Sequence, residues 1–159
     1  MPWADCFMKV YHKANKRVEG CSRLLNQVCN SWHPPYVGLF KVNSNAAVDT
    51  EGGRIGIGLI IYDSLGFVMV SSAQTIVDVY SPQEAETIAI LHGIQIVVDS
   101  GLVPFSIKSD AQVIVNLVNN GVFLCSEVGL NIKGICLKLE SFSNVSIDFF
   151  MQKANMATH

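Results

Sequence analysis

Two acidic residues in this 159-residue chain occupy positions where a carboxylate can do chemistry. SPQEAETIAILHGIQIVVDSG, from Ser81 to Gly101, holds no proline after Pro82, and the spacing predicts a long helix with proline at its first position. On its wheel Glu84, Thr87, Gln95 and Asp99 form a solvent stripe. Glu86 lies about 200° from Glu84 and shares its side with Ile90, Gly93 and Val97. A carboxylate on a packed face is costly unless something pairs with it. The plain alternative is a first-turn glutamate favoured by the helix dipole. Asp110 follows the strand-like VPFSIKS (103–109) and opens DAQVIVNLVNNG. Strand-to-helix junctions are where α/β folds present functional groups, and also where an aspartate caps a helix.

A third polar feature is KVNSNAAVD, residues 41–49. If it is extended, Lys41, Asn43 and Asn45 point to one face, and Val42, Ser44 and Ala46 to the other. This strand, the start of the long helix and the end of the strand before Asp110 can converge on one sheet edge. Carboxylates meeting there would bind Mg²⁺, which favours oxygen ligands, and two such ions about 4 Å apart support in-line cleavage of a phosphodiester.

The elements that must position these residues follow from hydrophobic period and turn chemistry. Residues 1–31 are expected to be a helix-prone basic leader, ended by Pro34-Pro35. Strand signals run from Val37 to about Val48, over 55–63 and over 67–73, separated by Glu51-Gly52-Gly53 and Ser64-Leu65-Gly66, which predicts an antiparallel meander. The long helix, the strand 103–109, a helix capped at Asp110 or Ser109 and closed by Gly121, a helix over 125–141 and a strand over 144–151 complete the order βββαβααβ. The expected class is α/β, a five-stranded mixed sheet with three antiparallel strands and two parallel additions, flanked by helices.

Composition narrows the function. Half the residues are hydrophobic, enough for one full core. No run of about 18 apolar residues exists, so no membrane-spanning helix is expected. MPWADCFMKV has an acid where a signal peptide would be apolar, and the five cysteines form no C-x-x-C. An intracellular protein, nuclear or cytoplasmic, with reduced thiols and no zinc site is expected. Residues 1–36 carry five Lys/Arg against two acids, leaving six against eleven in residues 37–159. A domain this acidic needs a metal ion or the basic leader to offset repulsion from phosphates.

Read together, WHPPYVGLFKVNSNAA, GG, GIGLIIYDSLG, SPQEAETIAILHGI, IKSDAQVIVNLV and QKANMATH resemble the plant ribonuclease H-like domain, related to the RNase H parts of retroelement reverse transcriptases. The family pattern is W-x-P-P-x-x-G-x-x-K-x-N-x-D-A, a glycine pair, G-x-x-x-R-D-x-x-G, an A-E-A helix start, S-D, and R-x-x-N-x-x-A-D/H. The resemblance covers residues 32–159 and implies an RNase H-like fold ending within its last helix. It also implies a carboxylate cluster holding two divalent metals, Mg²⁺ or Mn²⁺, with no small-molecule cofactor. Such a site hydrolyses the RNA strand of an RNA–DNA hybrid.

By that resemblance the helix glutamate falls on Glu86 and the strand-end aspartate on Asp110. The first-strand aspartate, expected to bridge both metals, falls on Asn45, and the last acid on His159, where family members also carry His. An Asn carbonyl brings no charge to a cation and bridges poorly. Asp49 lies roughly 13 Å further along an extended strand and does not replace it. The expectation is a hybrid- or RNA-binding relative with a degraded metal site and weak or lost cleavage. An active Mg²⁺-dependent hybrid endoribonuclease and a protein-interaction module that keeps only the fold are the alternatives.

Overall fold

A computed structural model describes residues 32–78, 80–122 and 125–150. The basic leader, residues 1–31, and residues 151–159 with His159 lie outside the described residues.

Strand β1 (Phe40–Asp49) carries the alternation read from KVNSNAAVD: Val42 and Ser44 are buried, while Asn45 is exposed. Strand β2 (Arg54–Tyr62) pairs antiparallel with β1 along its whole length, from Lys41↔Tyr62 to Asp49↔Arg54. In β2, Ile55, Ile57, Leu59 and Ile61 face one way and Ile60 and Tyr62 the other, and all are buried. A strand covered on both faces reads as a continuous apolar run, as this one does. Asp49 fixes the hairpin between them, accepting from the Gly52 amide at 2.9 Å and from Arg54 Nε at 2.8 Å.

Strand β3 (Val68–Val77) runs four residues past the expected 67–73. Its polar second half, through Gln74 and Thr75, still pairs with Ile57 and Gly56 because β2 continues beside it. Neighbouring ladder bonds here override weak strand propensity.

Helix α1 (Pro82–Asp99) begins at a capping box, in which Ser81 Oγ accepts from the Glu84 amide and Glu84 Oε2 accepts from the Ser81 amide at 2.7 Å. It lies on β1 at Gly93, where a Cβ would stand 3.3 Å from Val42 Cγ1. Strand β4 (Phe105–Ser109) pairs parallel with β1, helix α2 (Gln112–Asn119) and helix α3 (Glu127–Glu140) follow, and strand β5 (Ser146–Phe149) pairs parallel with β4. The sheet order is β3-β2-β1-β4-β5, so the three antiparallel strands and two parallel additions stand as expected. The main core lies between the sheet and the helices, around Val42, Leu59, Ile90, Ile94, Phe105 and Ile132.

Two expectations are corrected. Thr87 is not on the solvent stripe. It is 0% exposed because α3 packs over it, and its hydroxyl donates to the Glu84 carbonyl at 2.8 Å and accepts from Asn131 Nδ2 at 3.0 Å. Neither Asp110 nor Ser109 is the N-cap of α2. That position is Ala111, with no side-chain cap, and Ser109 Oγ instead accepts the Ala111 amide at 3.2 Å. Among the described residues no helix is long and apolar enough to cross a membrane.

Candidate active site

The site arises where β1 and β4 part company. Their pairing runs from Phe40↔Phe105 to Asn43↔Lys108 and then stops, whereas β1 continues to Asp49 against β2 alone. Among the described residues, the β4-side edge of β1 is therefore unpaired beyond Asn43. Asp110 follows directly on the last residue of β4, and the first turns of α1 bring Glu86 to the Ala46 amide in this same stretch of β1. Open sheets of this kind place ligands outside the carboxyl ends of parallel strands.

Glu86 reaches this edge from the α1 side. Its pKa is pushed up to about 7, first by burial and then by the negative charge of Asp110, while the Ala46 backbone amide works in the opposite direction. One of its oxygens, Oε2, is buried without a hydrogen-bond partner. The Asp110 carboxyl is also raised, chiefly by burial. The plain readings of both residues weaken on this geometry. Glu84, not Glu86, serves the helix start, and Asp110 caps nothing. The ion pairs of the neighbourhood belong to other residues, Arg54 with Asp49 and Lys108 with Asp148. Two half-buried carboxylates thus repel each other at an open strand edge, which is the electrostatic condition that a bound cation relieves.

Asn45 is one residue from Ala46 along β1, exposed, and on the strand face opposite α1. The structure therefore brings Glu86 and Asp110 together, and places Asn45 next to Ala46, whose amide faces Glu86, but on the other face of β1. Among the described residues no group of three or more His, Cys, Asp and Glu side chains comes together. His159 lies outside the described residues. Asp49 is held in the hairpin by Arg54 and Gly52, away from this edge.

The sequence did not reveal the surroundings of Lys41. This residue is 5% exposed, donates to the His33 carbonyl at 2.6 Å, and stands 4.9 Å from the Trp32 ring centre and 5.2 Å from that of Phe150. Burial, then Lys108, lowers its pKa to about 8. Trp32 in turn packs edge-on against Tyr62 at 4.9 Å between ring centres. Trp32 thus anchors the domain edge, whereas Tyr36 nearby is exposed. The available signal was the alternation that puts Lys41 on the face of β1 shared with Tyr62 on β2.

Compared with known proteins, residues 43–159 match the family described as reverse transcriptase-like. No curated protein matches the chain. Among solved structures, RNase H1 from the halophilic archaeon Halobacterium salinarum NRC-1 is similar, with a TM-score of 0.67 at 15% identity over 74% of this chain and 89% of that one. LC11-RNase H1 in complex with an RNA/DNA hybrid gives 0.64 at 18% identity over 73% and 88%. The N-terminal RNase H domain of Rv2228c from Mycobacterium tuberculosis gives 0.63 at 15% identity over 74% and 85%. Identities this low establish the fold alone, and it is the RNase H-like fold that the sequence motifs implied.

Proposed function

Because the chain belongs to the reverse transcriptase-like family, we propose that it is an RNase H-like domain that binds an RNA–DNA hybrid or RNA at the open β1/β4 edge, with weak or lost cleavage. The observation that carries this reading is the pair Glu86 and Asp110. Both titrate high, one oxygen of Glu86 is buried without a partner, and both stand at the edge where β1 loses β4.

A divalent cation, Mg²⁺ or Mn²⁺, held there by Glu86 and Asp110 would supply Lewis-acid activation of water and of the scissile phosphate. The chain's own residues set how well it is held. Glu86 must give up a proton near pH 7 to act as a ligand. Asp110 supplies the second carboxylate. Asn45, in the position the family motif gives to an aspartate, contributes a neutral oxygen and adds no charge to balance a cation. With two negative groups where the family motif carries four positions, affinity falls and turnover falls with it.

The test compares hybrid cleavage and hybrid binding for the natural chain and Asn45→Asp. Binding by the natural chain that weakens with salt, with cleavage appearing only in Asn45→Asp, supports the proposal. Cleavage by the natural chain at rates typical of ribonucleases means that the amide at position 45 is no defect. A second reading, a protein-interaction module, is favoured by the eleven acids against six bases in residues 37–159. Absence of any hybrid or RNA binding at low salt selects it.

A further inference from the structure

Among the described residues, strand β3 forms one margin of the sheet, paired to β2 on one side only. Edge strands are ordinarily guarded by charge, proline or a bulge within the run. Here residues 64–77 contain no charged residue and no proline. The one register shift lies between Ile61 and Tyr62, opposite the first residues of β3, so the ladder is regular from Val70 to Val77. Ser71, Ala73, Gln74 and Thr75 are exposed along it.

The sequence of this edge is symmetric in chemical type about Ala73. Counting outward, Ser72 matches Gln74, Ser71 matches Thr75, and Val70 matches Ile76. Met69 and Val77, exposed apolar residues at 47% and 81%, flank the run at equal distance. An antiparallel pair between identical strands places residue i opposite residue j, and j opposite i. A strand with this symmetry presents to its own copy small opposite small, hydroxyl opposite hydroxyl, and branched apolar opposite branched apolar. Binding an unrelated extended segment requires no such symmetry.

We propose that the free edge of β3 joins two copies of this chain in an antiparallel β3–β3 pair centred on Ala73. The side chains then meet on both faces. Val70 and Ile76 share the α1 side with Ile61 and Ile55, so each Val70–Ile76 contact extends the apolar layer across the junction. Ser71 and Thr75 meet on the other face, where they hydrogen-bond across the strands. No like charges oppose at the axis. One strand edge buries well under the roughly 800 Å² per partner of a stable complex, so the association is weak, micromolar or weaker.

Sedimentation velocity on the full chain from about 1 µM to about 500 µM tests this, since a weak dimer dissociates within that range. A monomer–dimer equilibrium is expected. Ser71→Lys combined with Thr75→Lys sets lysines opposite each other twice and should weaken the dimer at least tenfold. Ser71→Lys combined with Thr75→Glu sets opposite charges across the same axis and should restore it. Circular dichroism and urea midpoints check that both variants remain folded. A chain monomeric at every concentration overturns the proposal. A dimer indifferent to the double lysine variant also overturns it, because the contact then lies elsewhere. Equal weakening in both variants does the same, because the strands are then not in this register.

Discussion

Asp110 raises the pKa of Glu86, while Glu84, two residues earlier on the same helix, is occupied by the cap at Ser81. Two glutamates in one helical turn therefore have separate roles. Glu84 accepts from the Ser81 amide at the helix start, and Ser81 holds its carboxyl below the usual range. Glu86 is turned to the sheet edge, half-buried against a second carboxylate. The difference is one of helical phase, and it makes Glu86 costly to ionise.

That cost predicts a pH dependence of stability. Glu86 titrates near 7 in the folded state against 4.5 for the unreacted side chain, so the folded state holds its proton longer than the unfolded state. The stability it contributes is complete below pH 4.5 and is lost as pH rises through 7. Asp110, also raised, acts in the same sense. Urea unfolding should show the natural chain less stable at pH 8 than at pH 5, by up to about 3 kcal/mol from Glu86. Glu86→Gln should flatten most of that difference and be the more stable form at pH 8. A natural chain equally stable at both values would mean that Glu86 is solvated.

A metal ion should reverse the same trend. Mg²⁺ at millimolar concentration is expected to raise the unfolding midpoint at pH 8 and to do little at pH 5, where Glu86 is protonated. Titration calorimetry in two buffers of different ionisation enthalpy should detect proton release on binding near pH 7. Asn45→Asp should tighten binding by roughly tenfold or more, since each tenfold is about 1.4 kcal/mol and a new charged ligand supplies at least that. Glu86→Gln should abolish it.

Much of this site was legible because spacing alone distinguishes Glu86 from Glu84 and places Asp110 after a strand. The three hairpin strands were legible as alternating or continuous apolar runs broken by Gly-containing turns. The length of β3 was not, because Gln74 and Thr75 are held by β2 rather than by their own preference. Thr87 was misplaced because a helical wheel shows which residues share a side but not how many sides are covered; α3 covers a second one. The burial of Lys41 was invisible for a related reason. Its cover comes from Trp32 and Phe150, far apart in sequence and joined only by the fold.

The Thr87–Asn131 hydrogen bond, 3.0 Å long, ties α1 to α3 beneath the surface. Thr87→Val keeps the shape and leaves the Asn131 amide without its acceptor. A loss of about 1–2 kcal/mol is expected in chemical denaturation. Adding Asn131→Leu removes the stranded group, and the double variant should recover part of that loss. A purely additive double variant would mean that the two side chains are not coupled.

Lys41 should give the opposite pH signature to Glu86. Its folded pKa, about 8, lies below the ordinary lysine value of 10.5, so between the two the unfolded chain binds more protons than the folded one. Stability should therefore climb as pH rises from 8 toward 10, and the contribution is lost as pH falls back through 8. The aromatic faces of Trp32 and Phe150 and the His33 carbonyl all favour the ammonium form and limit the size of this climb. Above pH 10 it is opposed by Tyr62, whose phenol burial raises to about 12 and whose ionisation the folded state resists. The useful window is thus pH 8–10. Lys41→Met should abolish the climb there. Trp32→Ala opens the site to water, which relieves the burial of the ammonium while removing one of its rings, and relief of burial is the larger effect. Trp32→Ala should therefore shift the climb to higher pH, as followed by urea midpoints across the window. A climb that persists unchanged in Lys41→Met would assign it to another group.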